Sequence, residues 1–319
     1  MKAKQVVSLV VLGGMLLSGC GVSFSGFKAK AQRDEGVSAP LASGKVLTAD
    51  TSFGGIKIRG ADVQTCEVQA HIKVQAGTQE KADALLEEVF VVLEPKGNGL
   101  TLSVDKPHLG HNESVGVSYD IVVPHRTTLD CTTSFGTVRV AQIEGDVKAK
   151  TSFGSIHCDG VTGNLNLKTS HGKIDMRDIL SPDMDAETSF GSIVLVCRES
   201  DASSGHFTLK TSHGSITAKN MKVPELDGKT SFGSMSVTYA PDGPEDLDVT
   251  LSSSHGSLSM TPPEAFKGRV ELSTSHGSIG LDRPVTVQGK LSKDRISGSL
   301  GNGPGTIRMN TSFASVKLH

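Results

Sequence analysis

The sequence predicts an all-β chain that folds as a single-chain parallel β-solenoid, a right-handed β-helix of about ten coils. Two observations carry this prediction: a tetrapeptide that recurs along the chain, and apolar residues that alternate on both sides of it. The composition agrees, because 36 of the 319 residues are glycine and tryptophan is absent, which favours turn-rich β structure. An irregular N-terminal cap with one short helix completes the predicted architecture.

The repeated tetrapeptide reads Thr-Ser-Phe-Gly or Thr-Ser-His-Gly with few departures. Its copies begin at Thr51, Thr133, Thr151, Thr169, Thr188, Thr211, Thr230, Ser253, Thr274 and Thr311. From Thr133 to Thr274 the copies start 18 to 23 residues apart, a period typical of one solenoid coil. The interval before Thr311 is 37 residues, which is long enough for a degenerate copy around Ile296–Leu300.

Alternating apolar residues predict that each coil consists of short strands with one buried face. In the copy at Thr169, alternate residues from 165 to 171 are Leu, Leu, Thr and His, and Ile174 resumes the alternation after the glycine with its phase shifted by one. The shift indicates a corner at the glycine. The threonine and the ring of each copy are therefore predicted to point inward and the serine outward. Such coils bury their inner faces by stacking about 4.8 Å apart.

The segment from Asp62 to Pro124 lacks the tetrapeptide and predicts a cap. It contains a strand-like run at Cys66–Val74 and a helix from about Gln79 to Glu88 with Thr78 as its N-cap. A hairpin turn follows at Lys96-Gly97-Asn98-Gly99. A terminal unit of this kind is expected because an uncovered solenoid end exposes strand edges.

The first residues predict an export signal that ends in a lipid attachment site. Lys2 and Lys4 precede an apolar run, Val6–Leu17, that is too short to span a bilayer. The next residues, Leu17-Ser18-Gly19-Cys20, resemble the lipobox of bacterial lipoproteins. The resemblance implies cleavage before Cys20 and a diacylglycerol on its thiol, and Gly21 in place of an aspartate implies the outer membrane of the cell envelope. Cys20 is thus predicted to be an anchor, not a catalyst.

These features divide the chain into four predicted parts. Residues 1–19 form the signal peptide, 20–42 a Gly/Ser/Lys-rich flexible tether, 43–124 the cap with the first coils, and 125–319 the regular solenoid.

The residues resemble a known family, the bacterial putative-adhesin domains of unknown function. The resemblance lies in Tyr119–Pro124 before the first regular coil, in the repeated Thr-Ser-x-Gly-x-Ile, and in Ile296–Asn310 with Gly301-Asn302-Gly303 before a closing coil. It covers the chain from about Val46 onward. It implies a β-solenoid on an exported, membrane-attached protein, and it implies no particular binding residues.

The third position of the tetrapeptide is Phe or His in every copy, and its histidines raise the question of a metal site. Histidines separated by a Phe coil are too far apart to share an ion with bonds of about 2.0–2.1 Å. Only His255 and His276 come from consecutive copies, so this pair is the metal-site candidate. For the Phe and His positions as a whole the sequence predicts packing of stacked rings, with no metal and no cofactor.

Four further cysteines, Cys66, Cys131, Cys158 and Cys197, follow the predicted signal peptide. In an oxidising compartment they predict one or two structural disulfides or buried thiols, and three pairings stay open.

The charge pattern disfavours one class of partner and leaves several functions open. With 32 Lys and Arg against 34 Asp and Glu, nothing indicates binding to nucleic acid. The leading hypothesis is a lipid-anchored, non-catalytic module of the envelope whose partner is an envelope protein or a glycan. Coils of 18 to 23 residues leave no room for the long catalytic loops of β-helix enzymes. A carbohydrate-active enzyme and an envelope-stress regulator acting through protein partners remain the alternatives.

Overall fold

The computed structural model describes residues 29–199, 205–283, 286–287 and 292–319. The predicted signal segment 1–19 and Cys20 lie outside these residues. Two compact units divide the chain, Met1–Ser152 and Phe153–His319. No helix in the described ranges is long and apolar enough to span a membrane.

The described part of the first unit is built from strands and one helix. Its elements are β1 (Ala29–Pro40), β2 (Lys45–Phe53), β3 (Ile56–Ala61), β4 (Thr65–Ala76), α1 (Gln79–Glu87), β5 (Phe90–Lys96), β6 (Gly99–Asp105), β7 (Ser114–Pro124), β8 (Thr127–Phe135), β9 (Val138–Glu144) and β10 (Val147–Phe153). One sheet has the order β1-β4-β7-β3-β9, and another has the order β8-β2-β6-β5. Burial alternates along these strands, as a strand with one covered face requires.

Strand β1 lies within the segment that was predicted to be a flexible tether. The tether over 20–42 is wrong from Ala29 onward, because β1 pairs antiparallel with β4 along its whole length, from Ala29 opposite Ala76 to Pro40 opposite Thr65. Its alanines, Ala29 and Ala31, are buried in a cluster with helix α1. Small apolar residues can bury a strand face without the Val and Ile content that usually marks a strand. Residues 20–28 lie outside the described part of the chain.

The helix and the hairpin of the predicted cap are confirmed. The side chain of Thr78 accepts a hydrogen bond from the backbone N–H of Lys81 at 3.4 Å, so it caps α1 as predicted. The helix ends at Glu87, one residue before the predicted end. Strands β5 and β6 form the hairpin, with Lys96 opposite Gly99 and Gly97 at φ +58°. A positive φ at the turn suits glycine.

Parallel pairing begins within the first unit. Strands β2 and β8 are parallel, with Thr51 opposite Thr133 and Phe53 opposite Phe135, so the two tetrapeptides are in register. Strand β3 pairs in parallel with both β7 and β9. Beyond β7 in the same sheet, β4 and β1 are antiparallel. The antiparallel strands are the irregular part of the cap that the sequence predicts.

The described part of the second unit consists of strands. They are β11 (Ile156–Thr162), β12 (Leu165–His171), β13 (Ile174–Ile179), β14 (Met184–Phe190), β15 (Ile193–Cys197), β16 (His206–His213), β17 (Ile216–Met221), β18 (Glu225–Lys229), β19 (Met235–Tyr239), β20 (Asp248–Ser253), β21 (Leu258–Thr261), β22 (Gly268–Thr274), β23 (Ile279–Leu281), β24 (Thr286–Val287), β25 (Arg295–Leu300), β26 (Gly305–Thr311) and β27 (Val316–Leu318). One sheet has the order β11-β13-β15-β17-β19-β21-β27-β23, and another has β12-β14-β16-β18-β20-β26-β22-β25-β24.

Consecutive coils of the second unit stack in parallel and in register. Thr169 lies opposite Thr188, which lies opposite Thr211. The same register aligns Leu167, Ala186 and Leu209, which are 0% exposed and form one column of the core. Burying a leucine side chain fully stabilises the fold by about 1.5–3 kcal/mol relative to leaving it exposed. The predicted fold class, a parallel β-solenoid, is therefore confirmed.

The order of the coils in space differs from their order in the chain. Strand β26 pairs in parallel with β20 on one side and β22 on the other, and β27 lies likewise between β21 and β23. The tetrapeptide at Thr311 is thus an interior coil, and the prediction of a closing coil there is wrong. The degenerate copy predicted around Ile296–Leu300 is also wrong, because this segment is β25, which pairs antiparallel with β22. Alternating apolar residues predict a strand but carry no information about its direction.

Candidate functional site

Two recurring features of the tetrapeptide, its buried hydroxyl and its glycine, form the corner of most coils. The Thr211 hydroxyl donates a hydrogen bond of 2.9 Å to the carbonyl oxygen of Gly191, the corner glycine of the coil before it. The equivalent bonds run from Thr133 to Gly54, Thr151 to Gly136, Thr169 to Gly154, Thr188 to Gly172, Thr230 to Gly214, Ser253 to Gly233, Thr311 to Gly256 and Thr274 to Ala314. Each coil thereby satisfies a carbonyl that its neighbour leaves at the bend.

At most corners the glycine is required by the closeness of adjacent coils, and the coil of Ala314 is the exception. A Cβ on Gly214 would lie well inside van der Waals contact with the carbonyl oxygen of Gly191. Since that oxygen belongs to the backbone, no side-chain movement can relieve the overlap. The same obstruction holds at Gly172, Gly191, Gly233, Gly256 and Gly277. The buried hydroxyl and the glycine of the repeat are therefore explained by the fold alone.

The ring at the third position is exposed, and the prediction that it points inward is wrong. Thr169 is buried, but the next two residues, Ser170 and His171, are both exposed. The alternation of the strand thus ends at the threonine, before the glycine. Phe190 and Phe232 are each 51% exposed. Packing of the core does not account for these rings.

The exposed rings of the second unit form one continuous stack, which we call the ring row. In spatial order it comprises Phe153, His171, Phe190, His213, Phe232, His255, Phe313 and His276. Neighbouring ring centroids are 4.7–5.0 Å apart, and neighbouring ring planes are inclined by 8–12°. In the first unit, Phe53 and Phe135 stack in the same manner, with centroids 4.8 Å apart.

The metal candidate formed by His255 and His276 is wrong. Phe313 lies between these two rings, with its centroid 4.9 Å from each of them. The histidines are therefore two ring spacings apart and cannot share an ion with bonds of about 2.0–2.1 Å. Nor do the described residues include another group of three or more His, Cys, Asp or Glu that could hold a metal. With Phe313 in place, Phe and His alternate without exception through the second unit.

The ring row presents ring edges to solvent, because each ring face is covered by the next ring. Aromatic edges carry partial positive charge, and an imidazole edge adds a hydrogen-bond donor and an acceptor when neutral. Serine precedes every ring of the row, and serine also follows every corner within the row except at Lys173. The residues directly beside the row are thus rich in hydroxyls, with Lys173 as the charged exception. The next outward-facing column of the strands is charged and comprises Lys168, Glu187, Lys210 and Lys229. This arrangement suits binding of another surface, since it offers apolar edges and weak polar contacts at a fixed spacing.

The cysteines after residue 28 are reduced thiols, so the predicted disulfides do not form in this structure. The alternative prediction of buried thiols is confirmed for Cys66, Cys131 and Cys158. Burial raises the pKa of the Cys66, Cys158 and Cys197 thiols to about 12. A thiol with such a pKa carries almost no thiolate at neutral pH and is a poor nucleophile. Cys20, the predicted lipidation site, lies outside the described residues.

Charged side chains meet at a concave surface of the first unit, in a cavity of about 670 Å³. Its lining includes Lys57 and Asp120, whose charged groups are 3.5 Å apart. Asp120 also contacts Nε2 of His71 at 3.2 Å, and Nδ1 of the same imidazole contacts Asp34 at 2.9 Å. The hydrogen bond to Asp34 is the main cause that raises the pKa of His71. These groups form cross-strand ion pairs that join β1, β4 and β7.

The sequence contains one signal for the ring row that the prediction of inward packing overlooked. Phe and His differ in volume and polarity, and a buried position rarely accepts both in alternation. A position that accepts both Phe and His is expected at the protein surface. The exposure of the row could therefore have been inferred from the sequence. Its strict Phe–His alternation could not, because that alternation follows the order of the coils in space and not their order in the chain.

Three solved structures align with most of this chain. They are a putative cell adhesion protein from Clostridium sporogenes (10% identity, 90% of this chain and 99% of the other, TM-score 0.25), a putative adhesin from Bacteroides fragilis (12%, 91% and 99%, 0.36) and a putative adhesin from Parabacteroides distasonis (12%, 90% and 97%, 0.45). No curated protein matches the chain.

A family model matches residues 67–318, which include the cap helix, the parallel coils and the ring row. This match spans most of the chain. The protein therefore belongs to the Toastrack DUF4097 family.

Proposed function

We propose that the protein is a non-catalytic binding module of the bacterial cell envelope, anchored by lipid on Cys20, that engages its partner through the ring row. The observation that carries this proposal is the exposure of the row. Its phenylalanines are 49–54% exposed, and they lie at corners of the stacked coils. Contiguous apolar surface of this kind marks interaction sites, because leaving it in water costs free energy.

The rigidity of the row supports binding. Each interior ring of the row is held between its neighbours, and Phe190 ends a strand that is paired with the strands of His171 and His213. The rings that lie beyond their strands are still fixed by backbone hydrogen bonds to a serine of the adjacent coil, as the N–H of Phe232 is by the carbonyl of Ser212. A surface that is already ordered loses little conformational entropy when a partner binds. The row itself consists of phenylalanine and histidine rings and contains no paired carboxylates, and we assign it a role in contact.

The lipid anchor is proposed from the sequence. A basic start, a short apolar run and the lipobox at Cys20 form one consistent signal. Each methylene buried in a bilayer contributes about 0.8 kcal/mol, and durable anchoring needs more than one acyl chain, which a diacylglyceryl group supplies. Strand β1 begins only nine residues after Cys20, so the lipid would hold the first unit close to the membrane.

Metabolic labelling tests the anchor. The full chain, expressed in a bacterium fed an alkyne fatty acid, is expected to carry the label and to sediment with membranes. Cys20→Ala is expected to lose both properties, whereas the control Cys197→Ala is expected to keep them. Label that persists on Cys20→Ala would refute the anchor.

Photo-cross-linking tests the binding role of the row. Benzoylphenylalanine at Phe190 of the full chain is expected to form an adduct with a partner in intact cells. The control position is Phe90, which is 53% exposed but lies on β5, outside the row. Equal adducts at both positions, or none at Phe190, would contradict a binding role for the ring row.

A further inference from the structure

We infer that the partner of the ring row is a second copy of this chain, whose own ring row lies antiparallel against it. This inference rests on the proposed binding role of the row and adds the identity of the partner. The contact would be isologous, with the same surface used by both copies, as in most homodimers.

The spacing of the rings argues for a second copy. Centroids recur every 4.7–5.0 Å because the strands beneath them are stacked at the spacing of a β-sheet. A partner that contacts every ring needs the same repeat over the same length. A second copy necessarily has the same repeat over the same length. Two such rows can pack tightly along their whole length, as identical side chains do between paired sheets.

The orientation of the rings argues against a glycan. Sugars pack their apolar C–H groups on the faces of aromatic rings, but the faces inside the row are covered by neighbouring rings. Only edges are available, and these are positively polarised in Phe and carry nitrogens in His. The positively polarised edge of a Phe of one copy can meet the unprotonated imidazole nitrogen of a His of the other.

Alternation selects how two antiparallel rows align. If the two-fold axis passes between neighbouring rings, such as His213 and Phe232, each Phe of one copy faces a His of the other. If the axis passes through a ring, like faces like and histidines meet one another. The first alignment avoids placing two ionisable imidazoles opposite each other, so alternation gives the pair a preferred register.

Charge and area also suit self-association. Serines lie directly beside the rings, and the charged column of Lys168, Glu187, Lys210 and Lys229 lies one outward-facing position further from the row. The rings and serines of two copies can therefore meet without placing charged groups between the rows. The phenylalanines expose about half of their surface, and an aromatic side chain has roughly 200 Å², so eight rings offer on the order of 800 Å². This is close to the ~800 Å² that each partner contributes to a standard protein interface.

Co-purification of two tagged forms of the full chain tests the inference. Capture of one tag is expected to recover the other for the unsubstituted chain and for the control Phe90→Ser. The double substitution Phe190→Ser with Phe232→Ser is expected to reduce this recovery at least tenfold. Recovery that is unaffected by the double substitution would overturn the inference.

A second variant keeps the test valid if the double substitution unfolds the chain. Ser189→Glu with Ser212→Glu leaves every ring in place and puts like charges beside the row of both copies. It is expected to reduce recovery by a similar factor while cooperative thermal unfolding is retained. Unchanged recovery with this variant would also count against pairing through the row.

The photo-adduct at Phe190 separates the inference from the proposed function. An adduct that mass spectrometry maps to the ring row of another copy supports both. An adduct only with a glycan, a lipid or a different protein keeps the binding role of the row but overturns the second copy as its partner. The absence of any adduct overturns both.

Discussion

The second unit and the antiparallel part of the first unit hold their strands together by different contacts. In the second unit, coil after coil repeats one uncharged contact, a buried hydroxyl that donates to a corner carbonyl, as Thr211 does to Gly191. In the first unit, β1, β4 and β7 are joined on their outer side by charged groups, with His71 between Asp34 and Asp120. The comparison shows that the repeat adds at its corners a contact to backbone that is insensitive to pH, whereas β1, β4 and β7 add to their backbone pairing a side-chain contact that titrates. Titrating pairs, such as His206 with Glu225, also occur on the second unit, but they are not part of the repeated corner.

The largest expected effect comes from crowding the repeated corner. Gly214→Ala places a methyl group against the backbone carbonyl of Gly191, and the two coils must separate to accept it. We expect a loss of about 2–3 kcal/mol in the free energy of unfolding, the upper part of the range typical of overpacking. Denaturant unfolding followed by circular dichroism measures it.

The control for this prediction is Gly77→Ala, because a Cβ at Gly77 would meet nothing within 4 Å. We expect that substitution to change stability by less than about 0.5 kcal/mol. One coil carries Ala314 in place of the corner glycine, and nothing in the structure explains its tolerance. Equal effects of the two substitutions would show that close coil spacing does not require the glycine.

A smaller effect is expected from removing one repeated hydroxyl. Thr211→Val keeps the shape of the side chain but leaves the Gly191 carbonyl without its side-chain donor. The expected cost is about 1–2 kcal/mol, as for other acceptors left unsatisfied in a buried place. This cost should be the same at pH 5.5 and pH 8.5, because no ionisable group takes part. Thermal and denaturant unfolding at both pH values measure it.

The neighbouring exposed serine is the control for the hydroxyl. Ser212→Ala is expected to change stability by less than about 0.5 kcal/mol. If it costs as much as Thr211→Val, the stabilising contact lies elsewhere in the corner.

The smallest expected effect concerns the charged contact of the cap, and it depends on pH. Hydrogen bonding to Asp34, and then to Asp120, raises the pKa of His71 against the opposing effect of burial. A raised pKa in the folded state means that the stabilisation is complete below the unfolded value near 6.5 and is lost as the pH rises through the folded value. His71→Gln should therefore destabilise the chain at pH 5.5 by less than about 1 kcal/mol, and hardly at pH 8.5.

The same comparison at exposed His111 provides the control. His111→Gln is expected to leave stability nearly unchanged at both pH values, so the difference between the two variants isolates the contacts of His71. A larger effect of His71→Gln at pH 8.5 than at pH 5.5 would contradict the assigned role of the protonated imidazole.

Local patterns in the sequence were enough to predict the repeated coils and the cap helix. The recurring tetrapeptide predicted parallel coils, and Thr78 with the residues after it predicted helix α1, since both depend on contacts between near neighbours or between identical segments. Strand β1 was missed because its buried residues are alanines, whose burial depends on a helix that lies some fifty residues further on. From composition alone, a segment such as β1 is predicted to be a flexible tether.

The candidate site was only partly predictable for a similar reason. The residues of the ring row were identified, but their exposure depends on where the coil begins to bend, and Ser170 with His171 shows that the bend starts before the glycine. The neighbours of His255 and His276 depend on the order of coils in space. Because β26 pairs with both β20 and β22, Phe313 separates the two histidines, and no pattern along the chain reports this.

The interior position of β26 and β27 has a consequence for the newly made chain. Residues 268–281 leave the ribosome before residues 305–318, yet in the finished molecule the later segment separates them from β20 and β21. A growing chain can therefore close the gap too early, by docking β22 directly on β20. In that arrangement His276 would stack on His255, and the chain would have to reopen the contact before its last coil could enter. The native order of coils is thus reached either when β22 docks only after β26 has been made, or when a misfolded intermediate with β22 on β20 opens again.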